Sequence, residues 1–380
     1  VKILWHSNSP AVGTGYGQQT ALFVPLLAAL GHEIAISAFF GQQGAPGEWH
    51  GFTVYPSGRH PYGSDVLPQH AKHFGADIVI TLMDVWALDA EPLQGLPLAH
   101  WLPVDTDDGD GLQARGLSLR DHVALKATSG IPIAMSRHGA RMLVKSGHNA
   151  LYVPHGVDAS VFRPQRQRPE AFGDRFVIGM NAANASKADR KAWTVQLAAF
   201  AKLHRRHPDA LLYAHTIAND DRGINLKGIA RDLGISGAVA WTDEYAMTAG
   251  TLTPAQLAAA TAAWDLYSGC SKAEGFGIPV MEAQACGVPS VVTDGSAMSE
   301  VGCGWKVQGE PEWSRLHAAW WRTPRIADVA KVYERAYERG PAYHAKATKA
   351  REHALAYDAA RVTADHWKPA LEALEERLCG

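Results

Sequence analysis

Long apolar runs are missing from this 380-residue chain, and none approaches the ~18 residues that a membrane-crossing helix requires. Its first residues, VKILWHSNS, have neither the apolar core nor the cleavage site of a signal peptide and read as a strand. Cysteine is scarce as well. The four present, Cys270, Cys286, Cys303 and Cys379, show no CxxC or paired spacing and read as reduced, mostly buried thiols of a cytoplasmic protein. Positive charge is not in excess: 36 Lys/Arg against 38 Asp/Glu leave a net charge of −2, which argues against a nucleic-acid partner. The first 150 residues lean acidic, with about 9 Lys/Arg against about 12 Asp/Glu, and no basic amphipathic helix is expected there. Short internal repeats and low-complexity tracts are also absent.

What is present is the composition of a soluble globular protein, 47% hydrophobic and 19% charged, in a chain long enough for two cores. Apolar strands alternate with amphipathic helices. In the first half the strands read 2–7, 33–40, 76–84, 97–105, 131–136 and 151–156, and Gly31, Gly75 and Gly147 are placed to end helices. Residues 163–174, RPQRQRPEAFGD, read as a polar linker. A second alternation follows at 176–183, 210–216, 238–243, 265–271, 289–294 and 304–308. After Trp305 the chain is expected to be helical, with Pro311, Pro324 and Pro341 marking helix starts. The pattern implies an α/β protein of two doubly wound halves facing across a cleft lined by strand carboxyl ends.

The segment Glu274-Gly-Phe-Gly-Ile-Pro-Val-Met-Glu282 carries the most chemistry. Pro279 suits the first position of a helix and Gly287 its stop, which puts Glu282 in the first turns. Gly275 and Gly277 let backbone approach a ligand, with amide N–H groups near a positive helix end. The expected ligand is an anion attached to something rich in hydroxyls, because each carboxylate can accept two hydroxyl hydrogen bonds.

With AQACGVPSVVTD behind it, this segment resembles the signature of glycosyltransferase family 4 (glycosyl transferases group 1), retaining enzymes of the GT-B fold. The resemblance extends over nearly the whole chain, strongest over 150–301 and weakest over 40–130. It implies two Rossmann-like domains, 1–162 on the acceptor side and 175–342 for the nucleotide-sugar. A linker at 163–174 joins them, and a helix at 343–380 crosses back to the first. It implies that Glu282 holds ribose hydroxyls, that Glu274 holds sugar hydroxyls, and that Gly275, Phe276, Gly277 and Ile278 line the diphosphate. Lys187-Ala-Asp-Arg190-Lys191 follows the first strand of the second half and opens a helix, where the family carries a basic pair for the diphosphate. Met180-Asn-Ala-Ala-Asn184 replaces the usual Gly-Arg pair, so Lys191 is carried over, and Arg190 or Lys187 takes the arginine's place. Trp241 falls where relatives seat the nucleobase.

Three further motifs lie outside these segments. Gly13-Thr-Gly15-Tyr-Gly17 is not a dinucleotide fingerprint, since Gln18 breaks GxGxxG and the second strand ends without an acidic residue. The resemblance implies that Gly15 and Tyr16 face donor phosphates and acceptor; a plain tight turn is the other reading. Asp105-Thr-Asp107-Asp108-Gly-Asp110 contains a DxD but fails the calcium-loop template at Gly109. Asp105, ending a strand, reads as an acceptor contact, against a metal loop on Asp105 and Asp107 or a solvated loop. His155-Gly-Val-Asp158 through Phe162 and Pro164 resembles the segment that ends the first domain, and reads as a structural hinge with Asp158 capping local backbone.

The function implied is retaining transfer of a hexose from a UDP- or GDP-sugar, UDP-glucose-like by preference, to a hydroxyl of a soluble acceptor. Lys191, Glu274 and Asp105 carry the catalysis, with no metal and no cofactor. Because relatives that work on lipid acceptors dock through a basic amphipathic helix, membrane-surface docking is disfavoured. The rivals are a nucleotide-sugar hydrolase or epimerase of the same fold, a metal-dependent GT-A-like transferase using Asp105 and Asp107, and a non-catalytic nucleotide-sugar-binding protein.

Overall fold

In the computed structural model, which describes residues 1–106, 116–165 and 168–378, the chain divides into two units. The first comprises Val1–Val104, 116–156 and 358–378 of the described residues; the second, Asp105 and Thr106 with the described part of Val157–Tyr357. Among the described residues no helix is long and apolar enough to cross a membrane.

The first unit contains β1 (Lys2–Asn8), α1 (Gly15–Ala29), β2 (Glu33–Phe40), β3 (Gly47–Trp49), β4 (Phe52–Tyr55), α2 (Leu67–Phe74), β5 (Ile78–Leu82), β6 (Leu98–Leu102), α3 (Leu119–Thr128), β7 (Ile131–Ala134), α4 (Arg137–Lys145) and β8 (Leu151–Tyr152). Its eight-stranded sheet runs β3-β4-β2-β1-β5-β6-β7-β8, parallel except for the β3–β4 hairpin at one edge. That hairpin was not expected from the sequence, because strands of three and four residues are too short to show a period.

The second unit contains β9 (Val177–Asn181), α5 (Trp193–His204), β10 (Leu211–His215), α6 (Leu226–Asp232), β11 (Val239–Trp241), α7 (Glu244–Thr248), α8 (Pro254–Ala262), β12 (Leu266–Gly269), α9 (Ile278–Ala285), β13 (Ser290–Thr293), α10 (Met298–Val301), β14 (Trp305–Val307), β15 (Gly309–Ser314), β16 (Ala319–Pro324), α11 (Ile326–Tyr337) and α12 (Pro341–Leu355). Its parallel sheet runs β11-β10-β9-β12-β13-β14, the doubly wound order whose crevice opens where the strand order reverses, between β9 and β12. The chain is not helical throughout after Trp305: β15 and β16 form an antiparallel ribbon, and Pro311 lies inside β15 instead of starting a helix. A two-stranded ribbon tolerates proline where a central strand would not.

Close packing fixes individual residues in both units. Gly179, in central strand β9, has no room for a side chain, since a Cβ there would lie 2.0 Å from the Trp264 ring. In the first unit Trp5, Phe23 and Trp101 form an aromatic cluster with Trp367, which is fully buried. Trp367 comes from a π-helical turn, Thr363–Trp367, between α13 (Ala359–Val362) and α14 (Lys368–Leu378), so burial of one indole ties the end of the chain into that core. The expected single returning helix is instead broken, and only 358 onward joins the first unit. The expected linker is anchored too. Phe172 is buried in a short turn and Arg168 pairs with Asp265 at 3.2 Å, while the units change over earlier, at Gly156/Val157. Just before it, Gln19 exchanges hydrogen bonds with both backbone groups of Gly156 and accepts one from His155 Nδ1, each at 2.9 Å. Asp158 caps the following turn through Ser160 and Val161.

The first unit also buries a directed histidine chain. The carbonyl of Tyr62 accepts from His6 Nε2 at 2.9 Å, which leaves His6 Nδ1 to accept from Ser37 Oγ, and Ser37 Oγ in turn accepts from His70 Nδ1. Burial lowers His6, His70 and His100 to about 4 and His155 to about 3.

Two outcomes follow from this packing. Gly179→Ala should destabilise the second unit by roughly 1–3 kcal/mol, as overpacking does, read from the urea midpoint; an unchanged midpoint would mean that the Trp264 ring yields. The four histidines take up protons in the unfolded chain near pH 6.5 but in the folded one only near 3–4, so stability falls as pH drops through that window. Hydrogen-exchange protection factors should therefore drop more for β1, β2 and β6 than for β9–β13 between pH 7 and pH 5, since in β9–β13 only His215 is lowered in the same way, to about 4, and Glu282 acts in the opposite sense. Equal losses would count against this assignment.

Candidate functional site

The site forms at the switch point of the second unit, from the segment after β9 and the segment after β12. Lys187–Lys191 does not open a helix, as the sequence suggested. It is a turn, and α5 begins at Trp193. Asp189 and Ala192 hold left-handed backbone, φ 49° and 50°, a strained choice for non-glycine residues. Asp189 compensates by accepting from the Trp193 and Thr194 amides at 2.8 and 3.0 Å. Gln196, buried in α5, donates to the Lys191 carbonyl at 2.8 Å and accepts from Ser268 Oγ and the Cys270 amide. The Lys272 amide donates to the Arg190 carbonyl at 2.8 Å, so the two segments are laced together by backbone.

This lacing brings Arg190 and Lys191 onto Glu274. Arg190 donates to Glu274 Oε2 at 3.1 Å and to the Ala273 carbonyl at 2.9 Å, and Lys191 Nζ pairs with Glu274 Oε1. Burial alone would raise the Glu274 carboxyl, but the Lys191 and Arg190 charges outweigh it and hold it at about 2. Lys191 is lowered by its own burial and by Arg190, against the pull of Glu274. Arg190 also pairs with Asp105 at 3.1 Å. Asp105 is not a strand end, since β6 stops at Leu102; it belongs with the second unit as a partner of Arg190. Asp107 lies outside the described residues. Lys187 is exposed and acts on Asp220, so the structure does not bring it to Glu274.

Past Glu274, Gly277 has φ 103° and caps α9, where a Cβ would lie 2.9 Å from Met298 Sδ. Ile278 is the first helical residue, so Pro279 takes the second position and not the first; Gly287 and Val288 close the helix by bonding back to Gln284 and Ala283. Among the described residues no hydrogen bond uses the amide N–H of Gly275 or Gly277. Phe276 is buried. Glu282 is only 4% exposed, its carboxyl group has no hydrogen bond or ion pair among the described residues, and burial raises it to about 8. Its charge acts on Tyr267 and Cys286, both raised chiefly by burial. Trp241 is half-buried at the end of β11, three strands from β12 and thus about 14 Å away at ~4.8 Å per strand.

In the first unit Gly15 and Tyr16 are not a loop but the first turn of α1, capped by Thr14, whose hydroxyl accepts from the Gly17 amide at 3.0 Å. The same unit holds a feature the sequence reading missed. Helix α4 exposes Arg137, Arg141 and Lys145 at four-residue intervals and buries His138, Met142 and Leu143. It is a basic amphipathic helix, and net acidity of the whole half hid it; only a search at helical period would have found it.

Residues 185–319 match the family model for glycosyl transferases group 1. No curated protein matches the sequence. Solved structures share the fold over almost the whole chain. One is a sucrose-phosphate synthase from Thermosynechococcus elongatus, 14% identical over 98% of this chain and 99% of that one, with a TM-score of 0.75. Another is Anabaena HepE in complex with UDP-glucose, 16% identical over 99% of each chain, TM-score 0.70. A third is WaaG, a glycosyltransferase involved in lipopolysaccharide biosynthesis, 15% identical over 99% of each, TM-score 0.65. The fold is thus the α/β GT-B fold of glycosyltransferases, and the family match supports a group 1 glycosyltransferase.

Glu282 gives a prediction independent of any ligand. Its folded carboxyl holds a proton up to about pH 8, whereas the unfolded one loses it near 4.5, so this group lowers stability as pH rises across that window. Glu282→Gln should remove that slope and stabilise the protein at pH 8 by a few kcal/mol, on the order of 1.4 per pKa unit. Urea melts at pH 5 and pH 8 on both proteins check it, and parallel pH dependences would refute the assignment.

Proposed function

We propose that the chain is a retaining glycosyltransferase that moves a hexose from a nucleotide-diphosphate sugar to a hydroxyl, working without a metal. The observation that carries this is the contrast between two carboxylates eight residues apart at the switch point. Glu274 is clasped by two cations, and Glu282 is buried with no partner. A buried carboxylate without a donor is costly unless a ligand supplies one, and a ribose diol supplies two hydroxyls at once. Glu282 therefore holds the ribose, with Trp241 beside the base.

Arg190, Lys191 and the amides of Gly275 and Gly277 hold the diphosphate near the amino end of α9, beside Phe276 and Ile278. Glu274 keeps both cations in place. Its two oxygens offer about four lone-pair sites, so they also accept from sugar hydroxyls. The acceptor hydroxyl attacks the anomeric carbon on the face from which the diphosphate leaves. A phosphate oxygen takes the hydroxyl proton as the glycosidic bond to phosphate breaks and the new one forms. The protein's work is positioning and stabilising charge that grows on the leaving diphosphate. The structure of HepE with UDP-glucose favours a uridine diphosphate sugar as the first donor to test.

Asp105 keeps its proposed place near the attacking hydroxyl, but its carboxylate is engaged by Arg190. That engagement weighs against a metal-dependent site built on it. For the acceptor, a second reading has one observation in its favour. The basic face of α4 suits an anionic surface, which reopens the docking that the charge count had disfavoured. Sedimentation with anionic liposomes separates this from a soluble acceptor.

Calorimetry with UDP, GDP and ADP sugars tests the reading as a whole. Glu282→Ala should raise the donor Kd roughly tenfold or more, by loss of charge-assisted hydrogen bonds. Lys191→Ala should lower kcat about 10²–10³-fold with a smaller effect on donor affinity. Wild-type donor affinity in the first variant would refute the ribose assignment; wild-type kcat in the second would move the role to Arg190. Product release with no acceptor present would favour the hydrolase.

A further inference from the structure

The β15–β16 ribbon has no role in the donor site, yet it is fastened to the segment that carries Glu274. The Arg322 amide donates to the Lys272 carbonyl at 3.0 Å, and Lys272 Nζ pairs with Glu312 at 2.8 Å. Lys272 lies two residues before Glu274 and donates its own amide to Arg190. Cross-strand register sorts the ribbon's side chains. Glu312, Ser314, Ala319, Trp321 and Thr323 share one face, where Trp321 is fully buried. Pro311, Trp313, Trp320 and Arg322 share the other. There Trp313 is 48% exposed and meets Trp320 edge-on, with ring centroids 5.4 Å apart.

A tryptophan left half in water beside a polar, charged ribbon serves an occupant with an apolar face and hydrogen-bonding edges. The ribbon offers too little surface for a stable protein interface, which needs about 20–30 residues a side. A single sugar ring fits it. Its axial C–H face lies against an indole while its hydroxyls stay within reach of Arg322 and of water.

We propose that the outer face of this ribbon, Trp313 and Trp320 with Arg322 at its base, is a stacking platform for a pyranose ring of a glycan acceptor. This rests on the glycosyltransferase reading and adds to it the class of acceptor. The ribbon's tie to Lys272 then couples the bound glycan to the segment holding Glu274 and Arg190.

Tryptophan fluorescence and calorimetry on the full chain, titrated with maltohexaose, cellohexaose and chitohexaose, test it. The expected result is saturable binding of at least one oligosaccharide. Its Kd should rise at least tenfold in Trp313→Ala and recover in part in Trp313→Phe. Exposure of Trp313 makes both variants compatible with folding, to be verified by their urea midpoints. No binding of any of the three at millimolar concentration, or equal binding by Trp313→Ala, overturns the platform. So does sedimentation showing a dimer that Trp313→Ala dissociates, since the face would then be covered by a second copy. A separate donor titration of the wild-type protein keeps the two claims apart. Donor binding without glycan binding removes the platform alone, whereas absence of donor binding removes the glycosyltransferase reading itself.

Discussion

The placement of one carboxylate governs the second unit. Glu274 is largely enclosed, its side chain 12% exposed, and it stays ionised there chiefly because a guanidinium and an ammonium reach it from another loop. A buried ion pair adds little stability over an apolar substitute, but removing one partner is expensive, so the arrangement is unforgiving of misplacement. That constraint explains the rest of the local construction. The turn before α5 holds two non-glycine residues at positive φ, Gln196 ties that turn to the end of β12, and Lys272 ties it to the next strand pair. Each of these fixes where Arg190 and Lys191 point.

The two glutamates of the motif are chemically alike in sequence and opposite in state. Cations hold Glu274 at about 2, while burial without any cation holds Glu282 at about 8. Groups pushed apart in this way divide their roles by environment. One is a permanent anion that organises cations. The other is close to neutral at pH 7, and gives up its proton only when hydroxyl donors arrive to replace solvent. The inference from Glu282 to a diol needs that absence of a partner, which no sequence pattern displays.

Much of the sheet architecture was legible because buried parallel strands leave near-continuous apolar runs and glycine ends their helices. Strands β9 to β14 lie within the expected segments, and Gly31, Gly75 and Gly147 all hold positive φ. What escaped was short or local. The β3–β4 and β15–β16 hairpins have too few residues for a period to register, and Pro311 looked like a helix start because a ribbon's tolerance for proline depends on its having no further neighbour. The break in the C-terminal segment, at 356–358 between α12 and α13, has no proline or glycine to announce it. In the site, the spacing of Glu274, Gly277 and Glu282 was legible, but which of three cations would turn inward was not. Choosing Arg190 over Lys187 depends on backbone angles at Asp189 and Ala192 that residue identity alone does not favour.

Charge balance connects these observations to the proposed chemistry. Asp105 and Glu274 against Arg190 and Lys191 sum to zero before any ligand arrives. A diphosphate adds negative charge to that neutral group, and more develops on it as the sugar departs. Glu282, largely protonated near neutral pH in the ligand-free protein, adds no charge to that group before the donor arrives. The remaining compensation has to come from dipoles, which the uncommitted amides of Gly275 and Gly277 at the head of α9 provide without bringing a counter-charge. Arg190 then has a reason to be divided between Asp105 and Glu274. A cation balanced between two carboxylates can shift toward a growing negative charge at little cost, since each small loss on one side is offset by a gain on the other.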